Sequence, residues 1–217
     1  MKSLHTTGIP RGANSNLRKN KGIRLEVYME KKSLAHRIAF YGVLSALMFV
    51  FLLTETYAFS FLFGQFTPAI LTLPLAVGIS LFGDKKTMFV GGTIFGACSF
   101  VLSFIIGFVV FMNPLVSILP RVFIGVVAYF VYRFVSWLTK NAKNKFVREI
   151  LPLSLAGAFG ILTNTVLTLT MMWVFNSAEL AAVISTIMSV NFVAEVIGGM
   201  VLVPIYVGVL KRIDYKL

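Results

Sequence analysis

"IGFVVFMNPLVSILPRVFIG", Ile106 to Gly125, lies inside an apolar run that extends from Thr87 to Tyr132. One membrane-crossing helix takes roughly 20 residues, so the run is too long for one helix and about right for two. Asn-Pro disfavours helix at the residue before the proline. The break is therefore expected near Gly107–Pro114, with a new helix starting at about Pro114. The same stretch holds Arg121, the only basic residue between Lys86 and Arg133. An arginine at the centre of a membrane helix costs about 2.5–3.5 kcal/mol on insertion scales, so its presence asks for a reason.

The rest of the chain has the same character. Of 217 residues, 58% are hydrophobic and only 13% charged, against about a quarter charged in a soluble domain. The mean hydropathy is +0.87. No alternating strand pattern argues for a barrel. The fold class expected is all-α: an integral membrane bundle of six transmembrane helices, with N and C termini cytoplasmic. Span one is expected from about Ala35 to Leu53. An aromatic-rich outer loop follows, "TETYAFSFLFGQ", Thr54 to Gln65. Span two runs from about Phe66 to Phe82, span three from Thr87, span four from Pro114 to Leu138, and span five from Ile150 to Phe175. Ser177 suits an N-cap. The last apolar stretch, Leu180 to Leu210, exceeds one span. It reads either as one tilted helix or as a short surface helix at about 180–190 leading into span six.

The formal charge of +12 suggests nucleic acid until the positions are considered. Apart from Arg121, the basic residues fall in four clusters: before or at the start of span one, at Lys85-Lys86, from Arg133 to Arg148, and at Lys211, Arg212 and Lys216. That is the positive-inside pattern of a multi-pass membrane protein, and no nucleic acid partner is inferred. Cys98 is the only cysteine, so no intrachain disulfide forms. His5 and His36 suggest no metal site. Residues 1–28 are polar and basic, unlike residues 29–217, which make up the six-helix domain. "MEKKSLAHRIAFYG" reads as a natural start at Met29, because "LEVY" before it is encodable by a purine-rich ribosome-binding sequence. Residues 1–28 are then a translated leader. The alternative is a basic tail on the anionic inner leaflet.

Several polar groups share a depth with Arg121. Counted from the cytoplasmic basic clusters at about 1.5 Å per helical residue, Arg121, Asn164, Asn191, Glu195, Thr54 and Glu55 lie about 22–30 Å up. That is near the outer boundary of a hydrocarbon core about 30 Å thick. Asn191 and Glu195 are one turn apart and share a face. Asn164 sits in "TNTVLTLT", where Thr163, Thr165, Thr168 and Thr170 add hydroxyls. The expected picture is a polar pocket opening outward. The plainer reading has Arg121 snorkelling to outer headgroups, or paired with Glu195 with no ligand duty, and the asparagines as helix-packing glue. Small residues four apart, Ala35 with Ala39 and Gly42 with Ala46, let another helix approach span one closely. Gly91, Gly92, Gly96 and Ala97 do the same in span three, for internal packing or for a partner.

The chain has no Walker A sequence, no H-E-x-x-H and no G-x-S-x-G, so neither ATP binding by a P-loop nor zinc or serine hydrolysis finds its parts. It is not read as an enzyme. From Met29 to Leu217 it resembles the substrate-binding S components of energy-coupling factor (ECF) transporters. The resemblance is carried by "GVLSA" (Gly42–Ala46), "NPLVSILPRVFIGVVAYFVYR" (Asn113–Arg133), "TNTVLTL" (Thr163–Leu169) and "NFVAE" (Asn191–Glu195). The Asn-Pro…Pro-Arg pattern is similar to that of the pantothenate-type subfamily.

The resemblance implies a subunit that captures a water-soluble vitamin at the outer face. It implies docking through small residues of span one on a membrane coupling (T) subunit, driven by two ATPase subunits. ATP is then used by the partners, and no cofactor belongs to this chain. The implied setting is the cell membrane of a Gram-positive bacterium. Candidate substrate-binding residues are Arg121, Asn164, Asn191, Glu195, Asn113 and Tyr57. Candidate partner-binding residues are Ala35, Ala39, Gly42 and Ala46, in either register. Arg121 suits a carboxylate held bidentately, and Asn164, Asn191 and Glu195 suit hydroxyls and an amide, which is the chemistry of pantothenate. Riboflavin, folate and a pyrimidine precursor stay open as substrates. A stand-alone secondary carrier or channel for a small solute, and a ligand-free structural or regulatory membrane subunit, stay open as functions.

Overall fold

The structure, a computed structural model, describes the backbone of residues 34–63, 69–83, 85–175 and 178–216. Side chains are described there except at 34–36, 59–63, 178–190 and 214–216. The expected leader, residues 1–28, and the proposed cap Ser177 lie outside the described residues. So does the side chain of Ala35.

All the described regular structure is helical. The α-helices are α1 (Leu34–Phe63), α2 (Thr72–Phe82), α3 (Val90–Ile106), α4 (Pro114–Ser117), α5 (Leu119–Leu138), α6 (Leu151–Phe175) and α7 (Ala178–Lys216). Five stretches are long and apolar enough to cross a membrane: Arg37–Ala58, Lys85–Ile106, Pro114–Leu138, Phe146–Phe175 and Asn191–Ile213. The shorter α2 makes the sixth. This is the all-α, six-helix membrane bundle that the sequence predicts.

The break inside the long apolar run falls where expected. Helix α3 ends at Gly107, whose φ of 78° is left-handed and whose N–H bonds Ser103 O, a conformation glycine takes without a Cβ penalty. A single 3-10 turn, Val109–Met112, follows. Asn113 then caps α4, its Oδ1 accepting from Leu115 N at 3.0 Å, and Pro114 takes the first helical position, where its missing N–H is of no consequence.

Two expectations are corrected. Thr54 to Gln65 is not a loop as far as it is described, since α1 continues to Phe63. The stretch contains no glycine or proline before Gly64. The hydroxyls of Thr54 and Thr56 bond back to Val50 O and Leu52 O, each at 2.8 Å, so they do not compete with the helix. Span two is also shorter than expected, with α2 starting at Thr72 instead of about Phe66. At about 1.5 Å per residue its eleven residues reach about 16 Å, half the hydrocarbon core. Every residue from Thr72 to Leu81 is buried, because α3, α5, α6 and α7 all pack against it. A helix surrounded by protein is apolar on every face, just as a lipid-facing one is.

The last stretch is settled as one continuous helix, α7, with Pro204 inside it. On α6, Ser154, Gly157, Ile161, Asn164, Thr168 and Met172 are buried, every third or fourth residue. On α7, Asn191, Glu195, Gly199, Val203 and Val207 form the matching stripe. The two stripes meet where a methyl on Gly157 would press on Gly199 O. The span-three glycines serve internal packing. A methyl at Gly91 would overlap Ala76 O of α2, and one at Gly92 would overlap the carbonyl oxygen of Arg121.

Candidate functional site

Four of the polar residues singled out from the sequence, Arg121, Asn164, Asn191 and Glu195, converge on one cavity of about 110 Å³. That is far more than the roughly 10–15 Å³ that one water requires. Arg121 from α5, Asn164 and Thr168 from α6, and Asn191 and Glu195 from α7 line it, together with Thr56 of α1 and Ala69 ahead of α2. The remaining wall is mostly apolar and includes Phe95, Leu102, Phe108 and Phe111. An apolar cleft with a few converging polar groups is the usual form of a small-molecule site.

Arg121 is buried, 5% exposed. It does not snorkel. Its guanidinium is flanked by the rings of Phe95 and Phe111, each centroid 4.8 Å from Cζ, an arrangement attractive to a cation. Nη1 donates to the carbonyl oxygen of Ser117 and, at 3.0 Å, to its hydroxyl. Nε is buried with no hydrogen-bond partner among the described residues. Among the described residues no ion pair joins Arg121 to Glu195. The alternative of a closed salt bridge without ligand duty therefore lacks its bond.

Glu195 has a different partner, since its Oε1 accepts from Ala69 N at 2.9 Å. Glu55, only 2% exposed, accepts from Leu71 N, from Thr72 N at 3.3 Å and from the Thr72 hydroxyl. Glu55 of α1 thus satisfies the Leu71 and Thr72 N–H groups at the start of α2, where negative charge also suits the helix dipole, and Glu195 of α7 holds the chain just ahead of it at Ala69. This is why α2 starts where it does, and why Glu55 belongs inside the protein and not in a wet outer loop.

The four threonines around Asn164 separate into two pairs. Thr163 and Thr170 donate to Phe159 O and Val166 O of their own helix, at 2.7 and 2.8 Å. Thr165 and Thr168 are buried, and among the described residues their hydroxyl oxygens have no partner, nor has Asn164 Oδ1. Of these, Asn164 and Thr168 line the cavity. A buried polar atom left unsatisfied costs about 1–3 kcal/mol, so such a cluster asks for a ligand or water.

The other candidates are placed elsewhere. Asn113 spends its side chain on the α4 cap and does not line the cavity. Tyr57 is 66% exposed and is also absent from the lining. With α1 unbroken, two residues turn the helix by about 200°, which sets Tyr57 opposite the buried Glu55. Ala39, Gly42 and Ala46 are exposed on α1, and a methyl at Gly42 would meet nothing within 4 Å. Sequence reasoning missed Phe95, Phe111 and Ser117. Only Ser117 left a signal: it lies one turn before Arg121, next to a proline-broken turn.

No protein-family model matches the chain, and no solved structure matches it. One curated protein does: over 203 residues the chain is 28% identical to "Pantothenic acid transporter PanT" of Lactococcus lactis subsp. cremoris. The chain is similar to a bacterial pantothenic acid transporter. The match covers 84% of this chain and 97% of PanT, so it extends over most of the chain and not one motif. The pantothenate-type resemblance drawn from the Asn-Pro…Pro-Arg segment and this comparison with PanT point the same way.

Proposed function

We propose that the chain is the substrate-capture subunit of an ECF-type importer and that it binds pantothenate in the cavity at Arg121. The observation that carries this reading is a buried cation, flanked by two phenylalanines, whose Nε has no partner among the described residues, in a cavity also lined by Asn164 and Thr168, whose side-chain oxygens have none there either. Pantothenate is a carboxylate joined through an amide to a carbon chain with two hydroxyls. Its carboxylate meets the guanidinium. Its N–H and O–H groups meet Asn164 Oδ1, the Thr168 hydroxyl and the second oxygen of Glu195. Its gem-dimethyl carbon takes an apolar wall. The similarity to PanT supports the same solute.

In this reading the basic clusters face the cytoplasm, both termini lie there, and the cavity opens outward, in the cell membrane of a Gram-positive bacterium. The coupling subunit docks on the exposed small residues of α1, and two ATPase subunits supply the energy. Purified protein should carry pantothenate, identified by mass spectrometry of what it releases on denaturation. Uptake in cells should stop when the ATPase subunits are removed. Uptake that continues without them favours a stand-alone carrier, and a purified chain that neither carries nor takes up pantothenate refutes the reading.

A further inference from the structure

We propose that Ser117 is a positioning residue for the bound carboxylate: it holds Nη1 of Arg121 and so turns the Nε–Nη2 edge of the guanidinium toward the substrate. The inference rests on the binding role proposed for Arg121 and adds which edge is used and what fixes it.

A guanidinium presents five N–H donors in one plane. It grips a carboxylate with two parallel bonds, either end-on through Nη1 and Nη2 or side-on through Nε and Nη2. Here Nη1 is engaged by both oxygens of Ser117. Among the described residues Nε has no partner and no bond from Nη2 occurs. The end-on pair is closed and the side-on pair is open.

The backbone explains why Ser117 is available. In an unbroken helix the Arg121 N–H would bond the Ser117 carbonyl, four residues back. Instead both Arg121 N and Val122 N bond Ile118 O at 3.1 Å. Pro120 has no N–H for Val116 O. The break between α4 and α5 thus releases the Ser117 carbonyl, and the side chain of Arg121 returns to fill it. Phe95 and Phe111 restrain the plane while Ser117 restrains its rotation, leaving one edge for a ligand. A site preorganised in this way loses less freedom on binding.

The test compares pantothenate with panthenol, the same molecule with an alcohol in place of the carboxylate. Affinities for the purified protein are read by competition against tritiated pantothenate. Ser117→Ala keeps the carbonyl and removes the hydroxyl. It should weaken pantothenate by about three- to tenfold, the scale of one typical hydrogen bond, and leave panthenol unchanged. Ser117→Cys keeps the volume, offers only a weak acceptor, and should show the same pattern. Equal losses for both ligands, or no loss for pantothenate, overturn the positioning role. A wild-type protein that binds no pantothenate overturns the binding reading itself, and the two failures are told apart by the wild-type titration alone.

Discussion

Thr168→Val should make the empty protein more stable and a poorer binder at once. Thr168 is 1% exposed, and its hydroxyl oxygen has no hydrogen-bond partner among the described residues. Valine has almost the same shape. In the empty protein the substitution therefore removes a desolvated polar group and sacrifices no bond to another residue. An unsatisfied buried polar group costs about 1–3 kcal/mol, so that is the upper range of the gain. A cavity water on the hydroxyl brings the gain toward zero. In the complex the same substitution deletes a hydrogen bond to substrate, worth about 0.5–1.5 kcal/mol, or roughly two- to twelvefold in Kd. The two effects have opposite signs, which ordinary core damage does not produce. Thermal unfolding of purified protein with and without pantothenate, together with isothermal titration, reads both. A lower melting temperature for the empty variant with unchanged Kd would refute the reasoning, because the hydroxyl would then serve the fold and not the ligand.

Two further outcomes follow from the same structure. Glu55→Gln offers one acceptor oxygen to three donors and removes the negative charge at the start of α2, so it should lower stability by about 2–3 kcal/mol. Thermal unfolding in detergent checks this, and an unchanged melting temperature contradicts the capping role. Gly42→Leu adds a side chain where a methyl meets nothing within 4 Å, so pantothenate binding by the purified chain should stay within about twofold while uptake in cells falls at least about tenfold. Uptake at wild-type rate contradicts docking through α1.

The sequence made the polar core legible because charge inside an apolar run is expensive and therefore sparse. Arg121, Asn164, Asn191 and Glu195 stood out against a background with few competitors, and helical spacing put Asn191 and Glu195 on one face. The break before Pro114 was equally legible, from a glycine, an asparagine and a proline with defined backbone preferences. The rest was hidden for physical reasons. Phe95 and Phe111 are two of 21 phenylalanines, and nothing local separates a ring beside an arginine from one that faces lipid. The length of α2 was hidden because an apolar helix inside protein has the composition of one inside a bilayer. Its start and the residues just ahead of it are held by carboxylates 16 and 126 residues away in sequence. The aromatic end of α1 looked interfacial, yet it carried no residue that stops a helix. Ser117 gains its role only once the break at Ile118 frees its carbonyl.

The central claim is that a substrate carboxylate is held by Arg121. Its most direct test is the equilibrium affinity of purified Arg121→Ala for pantothenate, set beside wild type under the same conditions and after confirming a monodisperse, helical protein. Losing a buried charge-assisted contact costs about 2–5 kcal/mol, so Kd should rise by roughly thirtyfold to several thousandfold. A variant that binds pantothenate as tightly as wild type would contradict the account.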